Sequence, residues 1–573
     1  MKNFELAKLF SEMADLLEIQ GDSVFRIRAY QRAAQNLESH AEDIAAVAAR
    51  GELGKIPGIG KELAARISEY LDTGRIADLE ALRKAVPRGL LAILEVRGLG
   101  PKTARLLYDR LGVDSVEKLE ALARSGEILK LPGIREKTRE NILKGIATWK
   151  AGQSRMPVGK AIAIARAVIE ALRAHAPVIR IEVAGSIRRV KETVGDIDIL
   201  VTSPDPGRVA ETFVALPSVL EILAYGNTRA SVRHQEGIQV DLRVVDPGSF
   251  GAALQYFTGS KDHNVRVREI ASRKGLKVSE YGVIEEKSGK RIAGATEEEV
   301  YRAVGIPWIP PELREGSGEV EAALSGRLPD LVEFGDVRGD LHAHTDWSDG
   351  HHSLPKLIEA AEARGYEYII VSDHSKSSTV AGGLAPDELR EQIRQIRELQ
   401  KRHRIRILAG SECDILADGR MDFPGDLLKE LDIVLAAVHS RFKQNRAEMT
   451  ARIARALENP YVNILVHPTG RLIGERDPYE VDLEQVCAAA IRHGKAIEIN
   501  SSPQRLDLKD LHARRAAELG VPIAVNTDAH YPDDLDNMAL GIATARRAWI
   551  SAPRVLNALP LKKLLSWAHA SRP

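Results

Sequence analysis

The chain has 573 residues, more than one hydrophobic core supports, so several domains are expected. Its 81 Lys and Arg balance 81 Asp and Glu, and this zero net charge neither requires nor excludes a polyanionic partner, because a basic part can be offset by an acidic one. Two cysteines, Cys413 and Cys487, exclude a disulfide framework, and no stretch reads as a transmembrane segment.

The opening MKNFELAKLFSEMADLLE reads as an amphipathic helix and lacks the charged head and apolar run of a signal peptide, so a cytoplasmic protein is expected. Residues 1–150 then read as short helices split by glycine-rich turns. Three segments resemble one another: GKIPGIGKELAARISEY, EVRGLGPKTARLLYDRL and LKLPGIREKTRENILKG. Gly58 and Gly60 in the first, and Gly98 and Gly100 in the second, let a tight turn open onto a helix N-terminus. Backbone N–H groups there can hold a phosphate oxygen, with Lys61 and Lys102 alongside. The third copy has Arg135 in place of the second glycine and need serve only packing. Plain helix packing also uses glycine turns, but the recurrence favours the phosphate-holding reading, and the repeats resemble the helix-hairpin-helix motif, which implies a grip on the DNA backbone that reads no sequence.

Residues 155–310 mix helices with alternating strands. In DIDILV, Ile197, Ile199 and Val201 point one way while Asp196 and Asp198 point the other. Two carboxylates on one face repel unless a cation lies between them. In GIQVDLRVV, Ile238, Val240, Leu242 and Val244 take one face, and Asp241 and Arg243 the other. If these strands are neighbours, three carboxylates can hold two divalent ions, an arrangement that activates an attacking oxygen and stabilises leaving pyrophosphate. Upstream, Gly185 and Ser186 would open a phosphate-holding turn, with Arg189 adding charge. Asp-x-Asp alone is more often a solvated strand edge; the third Asp and the Gly-Ser turn shift the weight to a metal site.

These motifs resemble those of the family X DNA polymerases, the polymerase beta type, over roughly residues 1 to 315, and the glycine repeats resemble helix-hairpin-helix motifs. The resemblance implies that Asp196, Asp198 and Asp241 bind two Mg²⁺ or Mn²⁺ ions and that Asp241 deprotonates or orients the primer 3′-hydroxyl. It places Gly185, Ser186, Arg189 and Gly195 at the incoming nucleotide. In YFTGSKDHN it puts Tyr256, Phe257 and Gly259 against the sugar and Asn264 against the base. Arg268 would contact the template strand, and Tyr281 in SEYG would help close the nucleotide subdomain. The helix KELAARISEY departs from the pattern, with Glu62 and Arg66 where lyase lysines belong. Arginine stays protonated and forms no Schiff base, so deoxyribose-phosphate lyase activity by that route is not expected; Lys61 is a weak substitute. Lys261 replaces an acidic residue and would strengthen the grip on triphosphate or gapped substrate.

The segment GIPWIPPELREGSGEVEAALSGRLPD, rich in Pro, Gly and acids, reads as a connector with one short helix. From residue 335 onward, apolar strands alternate with helices. Eight of the sixteen histidines fall between His342 and His467. Metal-grade side chains close successive strand-like runs: His342, His344 and Asp349 in RGDLHAHTDWSDG, His374 in YIIVSDHS, Glu412 in IRILAGSECD, His439 in IVLAAVHSR, His467 in VNILVHPT, and Asp528 and His530 in PIAVNTDAH. Side chains at the carboxyl ends of parallel strands converge on one rim of a barrel, and imidazole with carboxylate suits Zn²⁺, Mn²⁺ or Fe. KAIEINSS adds a strand with no ligand foreseen. The set resembles the PHP (polymerase and histidinol phosphatase) domain, a distorted seven-stranded barrel with a trinuclear metal centre. The resemblance implies one ion on His342, His344, Glu412 and Asp528, a second on Glu412, His439 and His467, and a third on Asp349, His374 and His530. Asp373 would orient a ligand, and Arg441, Lys443 and Arg471 would meet DNA phosphate.

The expected architecture is multi-domain. An all-α helix-hairpin-helix N-terminal region (1–85, continued by 86–152) precedes an α+β nucleotidyltransferase palm (153–250). A nucleotide-binding subdomain (251–314), a linker (315–335) and a distorted (β/α)7 PHP barrel (336–573) follow. The expected activity is gap-filling DNA synthesis from deoxynucleoside triphosphates on gapped or nicked DNA, joined to a metal-dependent 3′–5′ exonuclease or phosphodiesterase. The expected setting is base-excision or end repair, carried out by a cytoplasmic, nucleoid-associated monomer with no membrane partner.

Overall fold

The computed structural model describes residues 2–39, 44–85, 101–152 and 155–573, together with Leu90, Ile93, Val96 and Leu99. The chain divides into two units. One comprises Met1–Met156, Pro217–Ala224 and Ser231–Val240; the other comprises Pro157–Leu216, Tyr225–Ala230 and Asp241–Pro573. Among the described residues, no helix is long and apolar enough to cross a membrane.

The first unit is built around α1 (Lys2–Gln20) and α2 (Val24–Ser39), whose Leu6, Phe10, Met13, Leu17, Tyr30 and Leu37 share one buried cluster with the glycine repeats. In the first repeat the Ile59 amide donates to the Ile56 carbonyl (3.1 Å), Gly58 takes φ 79°, and Gly60 caps α3 (Lys61–Thr73). A side chain at Gly58 would also strike Asn36, whose amide donates to the Pro57 carbonyl. The third repeat makes the same turn. Ile134 donates to Leu131 (3.2 Å), Gly133 takes φ 84°, and α4 (Glu136–Gly152) follows. The left-handed position therefore needs glycine and the second glycine is dispensable, which is how the hairpin forms despite Arg135. Gly98 and Gly100 lie outside the described residues, as does the Lys102 side chain.

A five-stranded sheet contains β1 (Arg180–Val183), β2 (Asp196–Thr202), β3 (Val219–Tyr225), β4 (Arg229–His234) and β5 (Gln239–Val244), in the order β1-β2-β5-β4-β3. A smaller antiparallel sheet follows, with β6 (Leu276–Ser279), β7 (Gly282–Glu285) and β8 (Arg291–Ala293). It packs with the helices Lys261–Ser272 and Glu297–Val304 around Val267, Ile270, Val278, Val283, Val300 and Tyr301. Ser260 caps the first helix and Thr296 the second, each side-chain oxygen accepting a hydrogen bond from a backbone N–H, of His263 and Glu299 respectively. Between residues 315 and 335, the short helix Glu319–Leu324 buries Val320 and Ala323 in this same core, and fully buried Glu319 lies 2.7 Å from His263 Nδ1. The segment expected to be a connector with one short helix carries that helix and packs it into the core, with Glu319 held against His263.

The last part is a sheet of seven parallel strands in sequential order: β9 (Gly339–Asp340), β10 (Tyr368–Val371), β11 (Arg406–Asp414), β12 (Ile433–Ala437), β13 (Ile464–Leu465), β14 (Ala496–Asn500) and β15 (Ile523–Asn526). Just beyond the first and last strands, Ala343 bridges Ala529, with His344 donating to the Ala529 carbonyl (2.9 Å) and Asp528 to the His342 carbonyl (3.0 Å). That bridge brings the two edges together as a barrel. Strand residues alternate. Tyr368, Ile370, Leu408, Leu435, Ile464 and Ala524 form one cluster, while Ile369, Val371, Ile407 and Val434 join another with the outer helices. The C-terminal helix Leu561–His569 lends Leu564 and Ala568 to the first cluster, and Asn463, just before β13, donates to the Ala568 carbonyl (2.6 Å). This helix caps the amino ends of the strands and leaves the carboxyl ends for the site.

Candidate active sites

Asp196 and Asp198 lie on β2 and Asp241 on the adjacent β5, where the Val245 amide donates to the Val201 carbonyl (2.8 Å). Ile197, Ile199, Val201, Val240, Leu242 and Val244 are buried, so the alternation places the acids on the opposite face as expected. Burial, then the charges of Asp196 and Asp241, push the Asp198 carboxyl up to about 7. Three charged carboxylates are unstable together here, and a divalent cation relieves them. Gly185 is part of the same construction. Its φ is 65°, and a Cβ there would lie 2.5 Å from Asp198 Oδ2. Ser186 is half-buried beside it, and Gly195 is exposed next to Asp196.

Arg189 donates through Nε to Glu315 Oε1 (2.9 Å) and through Nη1 to the Thr258 carbonyl. Gly259 takes φ 69°, and a Cβ there would lie 3.3 Å from Arg189 Nη1. Tyr256 and Phe257 meet edge to face at 5.1 Å, and the Arg243 guanidinium lies 4.4 Å above the Phe257 ring. Asn264 departs from expectation. It is 8% exposed, its oxygen accepts from Gln255 Nε2 (2.7 Å), and its nitrogen donates to the Tyr256 carbonyl (2.7 Å). The amide expected to face a base is thus engaged inside the protein. Arg268, Lys261 and Tyr281 are exposed. In the first unit Lys61 and Glu62 are exposed, and Arg66 is paired with Asp78 at 2.5 Å.

All nine residues foreseen for the barrel meet at the strands' carboxyl rim. They fall into three groups whose ligand atoms lie within 4.8 Å of one another: His344, Asp349, His374, His530; His342, His344, Glu412, Asp528; and His374, Glu412, His439. His467 joins through Nε2, 2.6 Å from Glu412 Oε1. His374 faces two groups, with Nδ1 3.1 Å from Glu412 and Nε2 3.4 Å from Asp349. His467 and Asp528 hold left-handed backbone, at φ 29° and 56°, as strained functional residues do. Burial opposes charge on His342, but Asp528, Glu498 and Glu412 outweigh it and raise its pKa well above the ordinary value. Burial, then the neighbouring His374, lowers His344 to about 4. Burial would raise Glu412, but the surrounding imidazoles hold it well below its usual value.

The donor set fits metal. Nε2 of His342, both ring nitrogens of His344 and Nδ1 of His374 are buried without a hydrogen-bond partner. Buried polar atoms are otherwise nearly always paired, and lone imidazole nitrogens beside carboxylates are what divalent ions bind.

Two supporting carboxylates were not foreseen. Glu498 on β14 lies 2.9 Å from His342 Nδ1 and accepts from the His467 amide (2.7 Å). Asp414 lies 2.6 Å from His439 Nδ1. Each sets the ring so that Nε2 faces the cluster. The signal was present: Glu498 is the one acid inside KAIEINSS, and Asp414 follows Glu412 by one pleat. Asp373 accepts from the Thr345 amide (2.8 Å) and the Ser348 hydroxyl (2.6 Å), and so anchors the loop that carries Asp349. Arg441 and Lys443 are exposed. Arg471, expected at DNA phosphate, is instead 9% exposed, bound to the Arg505 and Leu506 carbonyls and paired with Glu192 at 2.8 Å. Its guanidinium is consumed within the protein.

Comparison with known proteins agrees with this layout. Residues 1–76 match the helix-hairpin-helix domain and 90–148 the SAM-like helix-hairpin-helix tandem. Residues 155–234 match the DNA polymerase beta palm, 253–315 the DNA polymerase beta thumb, and 340–502 the PHP domain. The chain is 39% identical over 565 residues to the DNA polymerase/3′-5′ exonuclease PolX of Bacillus subtilis (strain 168), covering 98% of each. It is 27% identical over 341 residues to DNA polymerase lambda of Rattus norvegicus, covering 55% of this chain and 56% of that protein. Over 231 residues it is 33% identical to a probable phosphatase of Thermoanaerobacter sp. (strain X514), covering 38% of this chain and 89% of that protein. With three carboxylates on paired palm strands and nine ligand-type side chains on the barrel rim, the chain belongs to the family X DNA polymerases that carry a PHP domain.

Proposed function

We propose that the chain fills short gaps in DNA at the palm and removes nucleotides from DNA 3′ ends at the barrel, as a monomer in base-excision or end repair. The observation that carries this reading is the pair of clusters: three acids that cannot share a face uncompensated, and a rim of imidazoles with unpartnered buried nitrogens.

Bound divalent ions, Mg²⁺ or Mn²⁺ in the palm and Zn²⁺, Mn²⁺ or Fe in the barrel, would supply Lewis acidity at both sites. In the palm, Asp196, Asp198 and Asp241 hold two of them, and an Asp241 carboxylate oxygen takes the proton of the primer 3′-hydroxyl. Ser186 and Arg189 hold the triphosphate, with Gly185 and Gly195 keeping the turn open beside it. Tyr256 and Phe257, with Gly259, wall off the sugar, so that a ribose hydroxyl meets an aromatic edge. Asn264 reaches a base only after exchanging its bonds to Gln255 and Tyr256. Arg268 meets the template strand.

In the barrel, His342, His344, Asp349, His374, Glu412, His439, His467, Asp528 and His530 hold three ions. Glu498 and Asp414 fix the rings, and Arg441 and Lys443 receive the DNA backbone. The turns at Gly58, Gly60 and Lys61, with Gly98, Gly100 and Lys102, hold phosphates without reading bases.

The test is a one-nucleotide gapped duplex incubated with Mg²⁺ or Mn²⁺. Incorporation of one deoxynucleotide, lost in Asp241→Ala, and 3′ digestion in the absence of triphosphates support the reading. A chain that binds the gap but does neither overturns it.

A further inference from the structure

Two barrel arginines reach the palm segment that carries Arg189. Arg547 closes the helix Met538–Arg547, and its side chain is 6% exposed. Its Nε and Nη2 bind Asp510 Oδ2 (2.9 and 2.6 Å), while Nη1 donates to the Arg189 carbonyl (2.7 Å) and to Glu315 Oε1 (2.9 Å). That same Glu315 oxygen accepts from Arg189 Nε (2.9 Å), and Lys191 Nζ lies 3.4 Å from the other one. Nearby, Arg471 ties Glu192, in the same palm segment, to the barrel loop that carries Arg505 and Leu506. Pro503 of that loop lies so close to Gly159 that a Cβ there would come within 2.5 Å of it. The segment from Gly185 to Asp196 is therefore held from the barrel side at two points.

Glu315 is the pivot. Burial opposes its charge, but Arg547, Arg189 and Lys191 outweigh burial and keep it ionised. A carboxylate has about four acceptor positions, and one divided among three cations holds each less firmly than one serving two. We infer that Arg547 is a positioning residue for nucleotide addition: by sharing Glu315 with Arg189, it sets how readily the Arg189 guanidinium is released to an incoming triphosphate. The inference rests on the proposed role of Arg189 in holding that triphosphate. It gives the barrel a part in polymerisation that is separate from its own chemistry.

Shifts of opposite sign are expected in two variants. Arg547→Met leaves Glu315 to Arg189 and Lys191, so the KM for deoxynucleotide on a one-nucleotide gap rises about tenfold with kcat at saturation little changed. Glu315→Gln removes the anion that competes for Arg189, so KM falls. In the double variant the loss of Arg547 no longer raises KM above that of Glu315→Gln. Mere structural damage raises KM or lowers kcat in all three. An unchanged KM in Arg547→Met, or a raised KM in Glu315→Gln, overturns the inference. If Arg547→Met does not fold, Glu315→Gln decides alone. An unsubstituted chain that incorporates no nucleotide overturns the role of Arg189 and this inference together; one that incorporates normally while its variants show no opposed shifts overturns only the inference.

Discussion

Replacing Glu297 by Gln tests the polar core that joins the palm turn to the small sheet domain. Glu297 is 5% exposed and serves two guanidinium groups. Arg188 binds both its oxygens (2.8 and 2.7 Å), and Arg314, wholly buried, binds Oε1 (2.6 Å). Burial pushes this carboxyl upward, but the bonds and charges of Arg188 and Arg314 prevail and hold it at about 2. A fall from 4.5 to about 2 corresponds to about 3 kcal/mol of stability. Because the folded-state pKa is depressed, this contribution is fully present above pH 4.5 and is lost as pH falls toward 2. The Gln side chain keeps the shape but not the charge, and breaking such a buried pair costs roughly 3–5 kcal/mol. Urea unfolding of the parent and the variant, stepped down from pH 7, is expected to show a gap of about 3 kcal/mol at neutral pH that closes steadily below pH 4.5. Equal stabilities at pH 7, or a gap that does not change with pH, would refute the reasoning.

Three further outcomes follow from the two sites. Gly185→Ala puts a methyl into Asp198 Oδ2 at a left-handed position, costing roughly 1–2 kcal/mol in backbone strain and displacing a carboxylate. Single-turnover incorporation should drop about a hundredfold while 3′ digestion by the same preparation continues. His344→Ala should do the reverse, abolishing digestion and sparing incorporation; equal loss of both would show that the sites are not independent. Glu498→Gln loosens the His342 ring and the His467 amide, so chelator competition should show metal bound to the barrel about 10–100-fold more weakly. Unchanged affinity there would remove Glu498 from the site's support.

The palm acids and the rim ligands are legible in the sequence because their signals are local. Asp196 and Asp198 stand two apart on a strand with buried Ile197 and Ile199 between and after them; His374, His439, His467, Asp528 and His530 follow apolar runs that become barrel strands, and Glu412 lies inside one. What stays hidden is set by partners that only the folded chain brings to the side chain. Arg471 looks like a phosphate contact until Glu192, nearly three hundred residues earlier, is seen to pair with it. Asn264 looks free until Gln255 and the Tyr256 carbonyl take both ends of its amide. Glu319 looks like part of an acidic connector, yet it is wholly buried against His263. Glu498 and Asp414 face inward on their strands as the ligands do, but they serve the rings rather than an ion, and only geometry separates those roles.

Anomalous diffraction from crystals soaked in Mn²⁺ tests most directly whether side chains scattered through the chain gather divalent ions in two separate places. The expected map shows Mn²⁺ among Asp196, Asp198 and Asp241, and a cluster of ions within the rim formed by His342, His344, Asp349, His374, Glu412, His439, His467, Asp528 and His530. Soaked crystals with anomalous peaks only elsewhere on the chain would contradict it.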